Sequence, residues 1–359
     1  MKITVTKDDL VSALAFCRTI LRTGGAPILS NCLLRASDGQ LTISANNPFA
    51  SKQSTIPARV FEAGDTTVPL DQFLQIISGA PKGQPINLVV KDRAAITWGR
   101  SRYGLGVLPV SDFPAALSLP VADAILLDDD TRADLFERPA QVLLADGSNP
   151  LFAGVYLHEI AGHLSSLGSD GIRLFRPSAD ASIGHRPPVS VHKETALEID
   201  RMRADRVWWD GRYIAASVGN NTLTASLLAG AAYGEYSATL PDTDCAPIIF
   251  DRKELAAALK RLSTMATHGS VVRLKFGNAP RTAILEFVAQ EGSEVVTCQG
   301  DGLSAGYVGF APIRLAELIE ILGGEQVKFY IKNPSTPIRI VADSEPHTLV
   351  VIATCRVTA

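Results

Sequence analysis

The chain has 359 residues, enough for two or three domains with several buried cores. Its 46% hydrophobic and 20% charged residues describe an ordinary globular protein. A net charge of −3 excludes a uniformly basic surface but leaves room for a local basic lining.

The opening MKITVTKDDL has neither the apolar run nor the cleavage site of a signal peptide. Thr6 and Asp9 form a capping-box pattern at the head of a helix in TKDDLVSALAFCRTIL. Strands such as NCLLRASDGQLTISAN follow, turning at Asp38-Gly39. Leu70, Phe73, Leu74 and Ile77 then mark one face of a second helix, and INLVV and AAIT read as β-branched strands after it. In the middle of the chain, Asp128-Asp129-Asp130 reads as a solvated turn or helix start. DTRADLFERPAQVLL reads as a helix that Pro139 should disturb. GVYLHEIAGHLSSLGSDG reads as strand, turn, strand, and HKETALEIDRMR as a less regular helix. Trp208-Trp209 should straddle a strand, one ring in and one out, before a turn at Gly219-Asn220-Asn221. Asp251 and Glu254 cap a helix with Leu255, Ala258, Leu259 and Leu262 as its apolar stripe. VVRLKF is a strand, a last helix carries Leu315, Leu318, Ile319 and Leu322, and Asn333-Pro334 marks a late turn.

One pattern occurs three times, beginning at VPLDQFLQIISG, VHKETALEIDRM and APIRLAELIEIL. The starts lie roughly 120 residues apart, which implies three similar domains. A helix-then-strands unit also opens each domain, giving six half-domain units. Breaks near Pro120 and Asp242–Pro247 place the domains at 1–118, 119–243 and 244–359. A sheet with two helices on one face is an α+β layering. No stretch reaches the ~18 apolar residues of a membrane helix. Cys17, Cys32, Cys245, Cys298 and Cys355 are odd in number and far apart, as free thiols in a reducing cytoplasm are.

Three chemical signals fail on inspection. HEIAGH offers His158, Glu159 and His163 to a metal hydrolase, but its histidines are five apart with Gly162 between them, not four apart on one helical face. GDGLSAGYVG lacks the Gly-Lys-Ser/Thr ending of a phosphate loop. The scattered Ser, His and Asp residues form no triad. The expectation is a protein with no catalytic residue, metal or cofactor.

The segments MKITVTKDDLVSAL, APILSNCLLRASDGQLTIS, GDTTVPLDQFLQII, SRYGLGVLPVSDFP, SDGIRL and the closing CRV resemble, in order and spacing, the bacterial DNA polymerase III beta sliding clamp family. The resemblance spans the whole chain and is that of a divergent member. It implies three clamp domains per chain, sheets forming an outer wall and helices lining a hole. Two chains would close head to tail into a ring on duplex DNA. It also implies a cytoplasmic, non-catalytic processivity factor that binds DNA without reading sequence. DNA polymerase and the clamp loader would dock through short linear peptides.

By resemblance, the peptide pocket would use Phe152, Ser169, Gly171, Ile172, Arg173, Leu174, Gly234, Ala238, Thr239, Val351, Ala353, Thr354, Cys355, Arg356 and Val357. Ile172 stands where the family has His. Residues 233–239 lack the family's proline and two arginines, and Ala353-Thr354-Cys355 replaces Met-Pro-Met. Fewer methionines and arginines mean a less adaptable lining and fewer donors, hence weaker or altered partner choice, as in a divergent paralogue. The DNA-facing candidates are Arg22, Lys193, Arg201, Arg203, Arg252, Lys253, Lys260 and Arg261. Helix 70–79 has no Lys or Arg. The dimer seam would bring Tyr103 and Leu105 against Thr264 and Met265. Thr264 replaces a larger aliphatic group, at a cost of about 1–2 kcal/mol of burial.

Overall fold

The computed structural model describes residues 1–20, 26–144, 149–177, 186–230, 233, 236, 240–267, 269–276, 281–300 and 306–357. Among the described residues the helices are α1 Lys7–Arg18, α2 Leu70–Ser78, α3 Asp129–Arg132, α4 Arg138–Gln141, α5 Lys193–Arg201, α6 Arg252–Ser263 and α7 Pro312–Ile321, and the three apolar stripes read in the sequence fall on α2, α6 and α7. A π turn, Ala133–Glu137, joins α3 to α4. The expected helix at Pro139 is therefore continuous but wound more loosely just before the proline. Proline has no N–H and its ring crowds the carbonyl four residues back. The wider turn, with Arg138 N–H donating to the Ala133 carbonyl, relieves that crowding.

Both expected caps form. Thr6 Oγ1 accepts from Asp9 N–H at 3.4 Å, and Asp251 Oδ1 accepts from Glu254 N–H at 2.7 Å. Leu255, Ala258, Leu259 and Leu262 are all buried, and each leucine contributes about 2 kcal/mol by that burial. Leu74 is the exception among the stripe residues, being only half-buried. Asp38 and Gly39 both have positive φ, +50° and +75°, the geometry of a two-residue hairpin turn between Asn31–Ser37 and Gln40–Asn46. Asn221 belongs to a strand, leaving Gly219 and Asn220 as the turn. Trp209 is buried and Trp208 half-exposed, as alternation requires.

The chain divides into two compact units. The first comprises Met1–Asp128 and Arg201–Leu227. Its five-stranded sheet runs Arg59–Glu62, Lys2–Thr6, Pro85–Val90, Ala94–Trp98, Ser101–Leu105. Its eight-stranded sheet runs from Ile125–Leu126 to Gly64–Pro69. Leu10, Leu14 and Cys17 of α1 and Phe73 and Ile77 of α2 share one core with Leu34, Ile43, Val68 and Ile96. The join that draws part of the middle third into this unit is strand Asn221–Ser226 against Ala50–Pro57, from Asn221↔Ser54 to Ala225↔Ala50.

The second unit comprises Asp129–Asp200 and Leu228–Ala359, with a twelve-stranded antiparallel sheet. Here the join is Arg173–Arg176 against Glu345–Ile352, from Arg173↔Ile352 to Arg176↔Leu349. Phe175, Val350 and Ile352 face the core that α6 and α7 cover. Gly168 lets α4 settle on this sheet, because a Cβ there would meet the Pro139 carbonyl oxygen at 2.0 Å. Among the described residues, no helix is long and apolar enough to cross a membrane, and the described cysteines are all unpaired.

Candidate peptide groove and nucleic-acid interface

The candidate groove is built on the turn after strand His163–Ser169. Gly171 takes φ +84°, and a Cβ on it would lie 3.1 Å from the Phe152 ring, so both backbone and packing favour glycine there. Asp170 templates the turn, Oδ1 accepting from Ile172 N–H at 2.9 Å and Arg173 N–H at 2.7 Å. Ser169 Oγ donates to the Arg173 carbonyl at 2.6 Å and accepts from Gly171 N–H at 3.1 Å. Ile172 is thereby pushed outward, 37% exposed. Its carbonyl accepts from Ala353 N–H at 2.8 Å, which ties the C-terminal tail to the turn. Cys355 N–H donates to the Gly309 carbonyl at 2.8 Å, and Gly309 leaves room for Val357.

The described groove residues thus fall into two sets. Phe152, Gly171, Ile172, Leu174, Ala353, Thr354, Cys355, Arg356 and Val357 keep some exposure, while Ser169 and Val351 lie deeper. Burial raises the Cys355 thiol pKa. Arg173 differs from expectation. It is 5% exposed, and its guanidinium is consumed by Asp170 (3.1 Å), Glu317 (2.5 Å) and the Arg314 carbonyl (3.2 Å). It positions the turn from beneath and offers a ligand nothing. Arg314 forms a further ion pair with Asp170, whose side chain is almost completely buried. Gly234, Ala238 and Thr239 lie outside the described residues, as does Arg22.

Several groups beside the groove were not anticipated. Tyr156, His158, Tyr233, Tyr236 and Arg176 line up next to Phe152. Period-two alternation along strands Gly154–Ile160 and Arg173–Arg176 could have flagged Tyr156 with His158 and Leu174 with Arg176 as same-face pairs. HEIAGH is a hairpin turning at Ala161-Gly162, both at positive φ, and His158 is engaged by Tyr236. Among the described residues no group of three or more His, Cys, Asp or Glu could hold a metal ion.

The basic positions also divide. Lys193 is half-buried and donates to the Leu143 carbonyl at 3.0 Å, so it serves the fold rather than an open face. Arg252 Nε likewise donates to the Gly324 carbonyl at 2.7 Å. Arg261 makes a two-pronged pair with Glu294 (2.8 and 2.7 Å), which holds the Glu294 carboxyl below its usual pKa. Lys253 is exposed with no ion pair among the described residues, and Lys260 is exposed 3.9 Å from Glu320. Arg201 and Arg203 are exposed, Arg203 at φ +54° just past α5. At the expected seam, Tyr103 is 43% exposed and stacks on Trp98 at 4.9 Å. Met265 is 54% exposed and Thr264 is exposed, but Leu105 is buried in its own unit's core. Leu105 therefore has little surface to give a second chain.

Residues 1–118 match the family model of the DNA polymerase III beta subunit, N-terminal domain. The chain is 25% identical over 375 residues to the beta sliding clamp of Caulobacter vibrioides, covering 99% of this chain and 100% of the relative. It is 25% identical over 372 residues to that of Pseudomonas aeruginosa, covering 98% and 99%. Its structure matches Caulobacter crescentus pol III beta with a TM-score of 0.90 at 25% identity, covering 99% and 100%. The match to the Pseudomonas aeruginosa DNA polymerase III subunit beta has a TM-score of 0.91 at 23% identity, covering 99% and 100%. The fold is that of the DNA clamps, a class of non-catalytic replication proteins. Within it, the chain is similar over its whole length to DNA polymerase III beta subunits, the beta sliding clamps, as a divergent relative.

Proposed function

We propose that two copies of this chain close head to tail around duplex DNA as a cytoplasmic processivity clamp, each contributing domains at 1–118, 119–243 and 244–359. Partner proteins, the polymerase and the clamp loader, dock by a short peptide in the groove of Phe152, Gly171, Ile172, Leu174 and the tail Ala353–Val357. The observation that carries this reading is the end-to-end match in sequence and fold to beta sliding clamps.

The chemistry agrees with it. Lys253 and Lys260, with Arg201 and Arg203, are solvent-exposed basic residues on helix faces and helix ends, suited to phosphates and not to base edges. Binding of that kind ignores sequence and weakens with salt. Strand Ser101–Leu105 ends its sheet, and pairing that edge in a seam with Tyr103, Thr264 and Met265 would satisfy an otherwise open ladder. A paralogue serving a restricted partner is the second reading, favoured by Ile172 and Ala353-Thr354-Cys355 at the groove.

Light scattering, combined with retention on circular against linearised DNA after loading by the cognate clamp loader, tests the tether. A dimer retained on circles and lost from linear ends is expected. A monomer, or equal loss from both DNA forms, overturns it.

A further inference from the structure

Strand register places a polar cluster on the same sheet face as the groove. Leu174 pairs with Val351 on one side and with Ser169 on the other, and Tyr156 pairs with Leu167 and His158 with Ser165. Alternation therefore puts Tyr156, His158, Ser169, Leu174, Arg176 and Val351 on one face. Rings form a continuous row across it, Phe152–Tyr233 at 6.3 Å, Tyr233–Tyr156 at 5.5 Å, Tyr156–His158 at 4.9 Å and His158–Tyr236 at 5.8 Å. Arg176 stands at the far end, half-buried.

The Arg176 guanidinium donates to Tyr236 Oη at 3.1 Å, and Tyr236 Oη lies 2.8 Å from His158 Nε2. A guanidinium cannot accept, so Tyr236 accepts from Arg176 and can donate its own proton to His158. Burial, assisted by the Arg176 charge, lowers the His158 pKa to about 4. His158 is thus neutral at pH 7 and adds no competing positive charge. The acids of the nearby turn network are already engaged, Asp170 by Arg173 and Arg314, Glu317 by Arg173. Arg176 has no carboxylate within ion-pair distance among the described residues. A guanidinium in a partly dry site, with donors to spare and one neutral acceptor, is a strong attractor for an anion.

We propose that Arg176, held in place by Tyr236 and His158, is a specificity-determining residue of the groove that reads a side-chain carboxylate on the docked partner peptide. This rests on the peptide-docking reading above and adds to it the charge that the peptide must carry. The apolar anchor of the peptide would lie over Phe152 and Leu174, with its acid toward Arg176.

The test uses the full-length protein and dye-labelled hexapeptides with an aliphatic–aromatic anchor. One Glu is moved through the flanking positions, each peptide matched to its Gln counterpart, and affinity is read by fluorescence anisotropy. At one position Glu should bind on the order of tenfold more tightly than Gln. That preference should vanish in Arg176→Gln, persist in part in Arg176→Lys, and shrink in Tyr236→Phe. Arg176→Gln should still bind the Gln peptides measurably and unfold cooperatively in urea, which shows that the variant is folded. Equal affinity of every Glu–Gln pair on wild type, or a preference that survives Arg176→Gln, overturns the Arg176 assignment and leaves the docking reading standing. If no peptide of either kind binds wild type, the docking reading falls and this assignment with it.

Discussion

Asp170 is the side chain whose two oxygens template the groove turn. Its two oxygens serve four donors, Ile172 N–H, Arg173 N–H, Arg173 Nε and the Arg314 guanidinium, while the side chain itself is only 1% exposed. Asp170→Asn keeps one oxygen for the two backbone donors but turns an amide NH₂ toward two guanidinium groups. Removing one partner of a buried ion pair costs about 3–5 kcal/mol. Arg314 is partly exposed and can turn to water, so we expect a loss nearer 2–3 kcal/mol. Urea unfolding measures the loss, and hydrogen exchange of the Ile172 and Arg173 amides locates it. Exchange should accelerate at both amides, and affinity for groove peptides should fall, because the Ile172 carbonyl also holds Ala353. Glu317→Gln is the contrast. Its side chain is half-exposed, so it should cost under about 1 kcal/mol. If Asp170→Asn unfolds within about 0.5 kcal/mol of wild type, with unchanged exchange at 172 and 173, the templating argument is wrong.

Two further outcomes follow from the charges described. His158 has a folded pKa of about 4 against an ordinary 6.5, so the unfolded chain binds more protons in that interval. Its contribution is complete above pH 6.5 and is lost as pH falls toward 4, by at most about 3 kcal/mol. Urea midpoints should decline between pH 6.5 and 5 in wild type and be flatter in His158→Gln, and parallel slopes would refute this. On DNA, Lys253→Ala should weaken binding and reduce its salt dependence by about one counterion, whereas Arg261→Ala should change both less, since Glu294 already neutralises that arginine. Filter binding at several salt concentrations decides it, and equal effects would show that the Glu294 pair opens on DNA.

The helices were legible because burial of one face needs only local spacing. The stripes of α6 and α7 are fully buried where the period places them, and the caps at Thr6 and Asp251 are contacts between residues three apart. The hairpin at Asp38-Gly39 was legible for the same reason. The joins were not. Strand Asn221–Ser226 meets Ala50–Pro57 across more than 160 residues, and nothing local fixes that register. The resemblance pointed to where a groove would lie, but not to what its side chains bond. Arg173 looks in sequence like a donor for a ligand and is spent on Asp170 and Glu317, while Arg176, three residues on, keeps its charge available. The carbonyl bonds of Lys193 and Arg252 were no more legible, since a basic side chain bonded to a backbone carbonyl reads identically to one facing solvent.

The two long-range joins also bear on how far such a chain can drift. Each is a run of main-chain hydrogen bonds, five paired residues at Asn221–Ala225 and four at Arg173–Arg176. Amide and carbonyl groups are present whatever the side chains, so substitutions at these edges leave the ladder intact unless they bring proline or bury a lone charge. Three quarters of the positions can then differ from a relative while the fold superposes at a TM-score of 0.90. Architecture inherited through the backbone frees the surface to change, and the groove could trade one clientele for another with no rebuilding of the scaffold that presents it.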